Sequence, residues 1–188
     1  MFKVVSSDGT AIAGERLGDA GPALILVGGT LMTRVRHAPL ASLPAGDFSV
    51  INYDRRGRGD SGDSPVYDVQ REVDDLDALI ERVGGPVLFF GMSSGAVLAL
   101  EAVARGSAVS ALALYEPPFI VDRARPPLPG DYVDRMKTIV ARGEVTEALI
   151  YFLTVGLAMP DEDIARMRRT PVWAAWEAAA PTCPTTVS

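Results

Sequence analysis

One passage constrains this chain more than any other: an apolar run that leads straight into a serine flanked by glycines. Val87-Leu88-Phe89-Phe90 is followed at once by Gly91-Met92-Ser93-Ser94-Gly95, and Ala96 to Arg105 then reads as a small-residue helix stopped by Gly106. A strand, a tight turn and a helix in immediate succession force the central residue into a strained backbone geometry. Glycines two positions to either side remove the side chains that would collide there. The turn presents the Ser93 hydroxyl, and a serine hydroxyl needs such presentation because it is a poor nucleophile without a base and an oxyanion site. The Ser94 amide, opening the helix, faces the place where negative charge would develop, with the helix dipole behind it. Ser93 is the candidate nucleophile and Ser94 a candidate oxyanion donor.

Around this turn, strands and helices alternate. Phe2 to Val5 and Thr10 to Arg16 read as a hairpin about Asp8-Gly9, and Ala23 to Val27 as a strand buried on both faces. His37 to Leu43 reads as a short helix closed by Pro44 and Gly46, and Phe48 to Tyr53 as the next strand. Val69, Val73, Leu76, Ile80 and Val83 recur at helical spacing up to the stop at Gly84-Gly85-Pro86, and Val109 to Tyr115 is one more strand. The pattern predicts an α/β fold, a mostly parallel sheet of about six strands with helices on both faces. Gly28-Gly29-Thr30-Leu31, after the third strand, is where a second oxyanion donor is expected, the Thr30 amide first and Leu31 second. The other reading of these glycines is a simple turn ending a strand.

Beyond Pro118 the character changes. Residues 122 to 130 are rich in proline and arginine, and 131 to 142, 145 to 159, 162 to 169 and 172 to 179 read as helices, with 181 to 188 as an unstructured tail. The expected division is 1–120 as core, 121–180 as a helical lid and 181–188 as tail. Phe119, Tyr132, Phe152, Leu157 and Trp173 are either apolar lining for a substrate or simply helix core; Leu31 and Met92 join Phe119 as candidate substrate contacts.

Gly57-Arg58-Gly59-Asp60-Ser61-Gly62 matches a dinucleotide-binding pattern and follows a strand. The reading fails on chemistry: the next helix begins too late for its N-terminus to meet a pyrophosphate, and Asp60 and Asp63 would repel one. The acid expected about 20 residues further on should close a strand, but Asp74, Asp75 and Asp77 lie in a helix. The embedded Arg58-Gly59-Asp60 is read as a turn coincidence.

Taken together, Tyr53-Asp54-Arg55-Arg56-Gly57-Arg58-Gly59-Asp60-Ser61-Gly62, the Gly28-Gly29 turn, the Ser93 elbow and Leu114-Tyr115-Glu116-Pro117-Pro118 resemble, in kind and order, the α/β-hydrolase superfamily over residues 1 to 120. Gly28 departs from it, standing where many members have histidine. The resemblance implies a serine hydrolase for a small ester, thioester, lactone or related carbonyl substrate, with no metal or organic cofactor. It also implies an acid and then a histidine after the nucleophile. Glu116 is a possible acid, but the one histidine, His37, lies upstream and reads as a surface or helix-start residue. No base is thus identified, and the chain reads as ending before the strands that would carry acid and histidine. The alternative is a truncated or catalytically inactive hydrolase-like protein lacking the acid and histidine, either a binding or interaction module or an incomplete product. The Ala111 to Tyr115 strand is then expected as an apolar sheet edge open to a partner chain or a second copy.

Net charge of -6 and a pI near 4.8 speak against nucleic acid or an anionic membrane as partner. A single cysteine, Cys183, forms no internal disulfide, and one histidine and one cysteine make a zinc site of the usual kind unexpected. The N-terminus lacks a signal-peptide pattern, and a cytoplasmic location is expected.

Overall fold

The computed structural model describes residues 1–121 and 127–185. Part of the proline- and arginine-rich stretch, 122–126, and the last three residues of the expected tail lie outside them. The chain forms two compact units, Met1–Pro118 and Phe119–Ser188.

The first unit is built on a six-stranded sheet of β1 (Phe2–Val5), β2 (Ala11–Leu17), β3 (Ala23–Val27), β4 (Ser49–Tyr53), β5 (Val87–Met92) and β6 (Val109–Tyr115). The spatial order is β1-β2-β4-β3-β5-β6, with β4, β3, β5 and β6 mutually parallel and the β1-β2 hairpin antiparallel to them. Three helices flank it: α1 (Arg34–Ser42), α2 (Val69–Val83) and α3 (Ser94–Ala104). Strand pleating divides the apolar residues between the two faces. Ile25, Val27, Ile51, Tyr53, Val87 and Phe89 pack with Val73, Leu76 and Leu79 of α2 and Leu98, Ala99 and Ala102 of α3. Their neighbours Leu24, Leu26, Val50 and Phe90 meet Ala41 of α1. Helices therefore cover both faces, as the alternation of elements predicts.

Helix α2 follows its sequence signals. Asp68 caps it, accepting from the Gln70 amide at 2.8 Å, and Gly84 ends it with φ 83°. Helix α1 starts three residues before the expected His37. The Arg34 amide, an orphan of the first turn, donates to Asp54 Oδ1 at 2.7 Å, so the cap comes from the far end of β4 rather than from the local sequence. At the other side of the sheet, β6 is an edge strand along which Ala111, Ala113, Leu114 and Tyr115 are exposed.

The second unit is helical: α4 (Tyr132–Ala141), α5 (Val145–Tyr151), α6 (Asp161–Met167) and α7 (Val172–Ala179). Two expectations are corrected here. The helix expected over 145 to 159 gives way after Tyr151 to a π-helical turn, Phe152–Gly156, where the Leu157 amide reaches back five residues to Phe152 O. The expected tail is not irregular, because Ala180–Thr185 form a 3-10 helix with Thr182, Cys183 and Pro184 buried. Burial of the small Cys183 side chain gives that segment an anchor. Tyr132, Phe152 and Trp173 are core residues, Tyr132 stacking on Tyr151 with centroids 5.2 Å apart, whereas Phe119 and Leu157 are exposed.

Candidate active site

The Ser93 turn is built as its glycines demand. The Ser93 amide donates to Tyr115 O at 2.9 Å, the last rung between β5 and β6, and its carbonyl accepts from the Ala96 amide at 2.9 Å in the first turn of α3. Between these bonds Ser93 has φ 52° and ψ -124°, a conformation that costs a non-glycine residue about 1–3 kcal/mol. A Cβ on Gly91 would lie 2.6 Å from Ala96 Cα, and one on Gly95 would lie 2.2 Å from Val27 O and 2.4 Å from Gly28 O. No side chain fits at either position, so the elbow and the end of β3 are in direct backbone contact.

The loop after β3 runs beside the serine. A Cβ on Gly29 would stand 3.3 Å from Ser93 Cβ and 3.9 Å from Ser93 Oγ. Thr30 Oγ1 and Ser94 Oγ are hydrogen-bonded at 3.1 Å, both residues being buried. The structure thus brings together Ser93, Ser94, Gly29 and Thr30. Leu31 is buried in the same loop and Met92 is half-buried at the end of β5. Glu116 is exposed, one residue past the carbonyl that holds the Ser93 amide, with φ 48°. Phe119 belongs to the second unit.

His37 is not the surface residue expected. It is 2% exposed on the inner side of α1, and its Cε1 would be 2.5 Å from a Cβ on Gly28. The missing side chain at Gly28 leaves the space that the imidazole fills. Neither ring nitrogen has a hydrogen-bond partner among the described residues, so His37 makes no bond to Ser93. Burial pushes its pKa below the ordinary 6.5, with the Asp54 carboxylate opposing.

Beneath the loop lies a charged layer that the sequence reading missed. Arg55 donates to both carboxylate oxygens of Glu72 at 2.6 Å, and its Nη1 reaches Gly28 O and Ser94 Oγ, each at 3.1 Å. Arg56 pairs with Asp75 at 2.8 and 2.6 Å and with Asp8 at 3.0 Å, and Arg58 Nε donates to Thr30 O at 2.7 Å. Arg55, Arg56, Arg58, Glu72 and Asp75 are all buried. Burial alone would push the Glu72 carboxyl up, but the Arg55 guanidinium outweighs it and holds the group below its ordinary value. A signal was present: Glu72 and Asp75 stand four residues before Leu76 and Leu79, on the buried stripe of α2.

The Gly57 to Gly62 loop shows why the dinucleotide pattern is empty. A Cβ on Gly59, at φ 54°, would lie 2.4 Å from Asp54 Cγ, and the Asp60 amide donates to Asp54 Oδ2 at 3.1 Å. The glycines wrap a carboxylate of the chain itself, and α2 opens only at Val69.

Residues 23–187 match the model of the Alpha/beta hydrolase family. The chain belongs to this family. An alpha/beta hydrolase from Sphaerobacter thermophilus is 50% identical with a TM-score of 0.94, over 98% of this chain and 72% of that one. The bottromycin epimerase BotH, solved in complex with bottromycin A2, is 26% identical with a TM-score of 0.67, over 98% and 73% of the two chains. The proline iminopeptidase PfmaB of Pestalotiopsis fici is 33% identical over 121 residues, 61% of this chain but only 43% of the peptidase. Among the described residues of this family member, no group of three or more His, Cys, Asp or Glu is arranged to hold a metal, and no helix is long and apolar enough to cross a membrane.

Proposed function

We propose that this chain carries the nucleophile and oxyanion half of a serine hydrolase acting on a small ester, lactone or related carbonyl compound. The observation that carries the reading is the Ser93 backbone, held at φ 52° and ψ -124° between two glycines that admit no side chain. In this reading Ser93 Oγ attacks the carbonyl carbon as its proton passes to a base, and the carbonyl electron pair moves onto oxygen. The amides of Thr30 and Ser94 donate to that oxyanion, each such donor contributing about 10²–10³ in rate. Collapse expels the alcohol with the proton, and water then releases the acyl group from Ser93. Glu116 is the candidate acid, and Leu31 and Met92 are candidate contacts with the substrate. The steps need no metal.

A second reading, a hydrolase-like protein that binds without turnover, is favoured by His37. Both its ring nitrogens lack a hydrogen-bond partner among the described residues, so it does not serve Ser93 as a base. The epimerase among the relatives is in keeping with chemistry other than hydrolysis on this fold. A fluorophosphonate probe with added imidazole separates the two readings. The serine hydrolase reading expects an adduct on Ser93, faster with imidazole as a surrogate base and lost in Ser93→Ala. No adduct in folded protein, with or without imidazole, leaves the binding-module reading standing.

A further inference from the structure

We propose that Arg55 and Arg58 are positioning residues that lock the two peptide groups on either side of the one that bears the Thr30 amide, and so hold the Gly28–Leu31 loop in one orientation; their value to catalysis rests on the oxyanion role proposed for Thr30. In a trans peptide the carbonyl and the following N–H point in opposite directions, so whatever holds the oxygen also aims the next amide. The chain has no cis peptide among its described residues. Gly28 O is held by Arg55 Nη1 at 3.1 Å, which aims the Gly29 amide. Gly29 O accepts from the Met32 amide at 3.2 Å, which aims the Thr30 amide. Thr30 O is held by Arg58 Nε at 2.7 Å, which aims the Leu31 amide. Three successive peptide groups are thus fixed by their oxygens, and the two outer ones by guanidinium groups.

The need for such holding is local. Two adjacent glycines carry almost no conformational preference, so the Gly28-Gly29 segment alone would exchange between peptide orientations. Arg55 also ties the loop to the elbow, since the same Nη1 donates to Ser94 Oγ at 3.1 Å while the rest of the guanidinium is gripped by Glu72. Taking a guanidinium out of water is costly, and an apolar side chain would fill the same volume without that cost. What the apolar side chain cannot do is donate to two segments at once.

The test uses the full chain labelled with ¹⁵N and the double variant Arg55→Met with Glu72→Leu. This removes the clamp without leaving an unpaired buried charge, and such exchanges of buried pairs for apolar residues generally keep a protein folded. The expected result is a folded spectrum in which the Gly29 amide splits into two sets or exchanges with solvent about tenfold faster. A single, unshifted signal for the Gly29 amide would overturn the role of Arg55. Arg58→Met, read separately at the Leu31 amide, tests the other guanidinium in the same way. As a control, Ile12→Ala, a buried position on β2 opposite Val4 of β1, lowers stability and leaves the loop signals single, which excludes a general loosening. Because the signals do not involve the Ser93 hydroxyl, failure of fluorophosphonate labelling and failure of the clamp are separate results.

Discussion

The buried imidazole of His37 makes the fold's stability depend on pH in a direction that can be worked out. The ring is 2% exposed, neither nitrogen has a hydrogen-bond partner among the described residues, and burial lowers its pKa from 6.5. In the unfolded chain His37 takes up a proton as the pH falls through 6.5; in the folded chain it stays neutral to a lower pH. The unfolded state therefore binds more protons in that window, and stability falls as the pH falls, by about 1.4 kcal/mol per pH unit until the folded group titrates too. Between pH 7 and pH 5.5 the loss reaches up to about 1.3 kcal/mol, a drop in urea midpoint of roughly 0.5 M for a chain of this size. The perturbation is His37→Leu, which fills the space beside Gly28 with an apolar side chain. Urea titrations followed by far-ultraviolet circular dichroism should show the slope in the native chain and its loss in the variant. At pH 7 the variant should be as stable or more so, because an unsatisfied buried polar group costs about 1–3 kcal/mol. A variant that keeps the slope, or that loses more than about 1 kcal/mol at pH 7, refutes the reasoning by showing that the ring is bonded in the native state.

Three further outcomes are expected. Ser93→Gly should raise stability by about 1 kcal/mol in thermal melts, because glycine adopts φ 52° and ψ -124° without strain, while abolishing any fluorophosphonate adduct. Gly95→Ala should cost more than about 3 kcal/mol or prevent folding, since its Cβ would lie 2.2 Å from Val27 O with only backbone to give way; near-native melting would show that the elbow can shift. Arg55→Met alone should cost about 3–5 kcal/mol by leaving the Glu72 carboxylate buried without its partner, and adding Glu72→Leu should restore most of it in a double-mutant cycle.

Strands and the elbow were legible because their signals are local. Ala23 to Val27 and Val109 to Tyr115 form strands over the residues read from the sequence, since a short, mainly apolar run bounded by turn residues suits a buried strand better than a helix. The site's serine was legible for the same reason: strand, glycines and helix lie within a few residues of one another. What escaped was long-range. The start of α1 is set by a carboxylate twenty positions away, and the burial of His37 by a side chain absent from Gly28. The charged layer of Arg55, Arg56 and Arg58 reads as a polar loop until Glu72 and Asp75 are seen to face inward from α2. The burial of Thr182, Cys183 and Pro184, in a segment expected as tail, depends on packing that no short window contains.

The bond from the Arg34 amide to Asp54 also says something about the order in which this chain assembles. Helix α1 has nine residues with Pro39 inside, well below the about 12–15 residues at which an isolated helix becomes even marginal. Its first residue is held by its amide at Asp54 and by its carbonyl at Asn52 Nδ2, 2.8 Å away. Both partners come from β4 or the residue directly after it, made later in the chain than the helix they anchor. Helix α1 therefore waits for a strand that emerges behind it, and so does the Gly28–Leu31 segment that leads into it. On a growing chain this helix can dock only once β4 has been made and has found its place between β2 and β3.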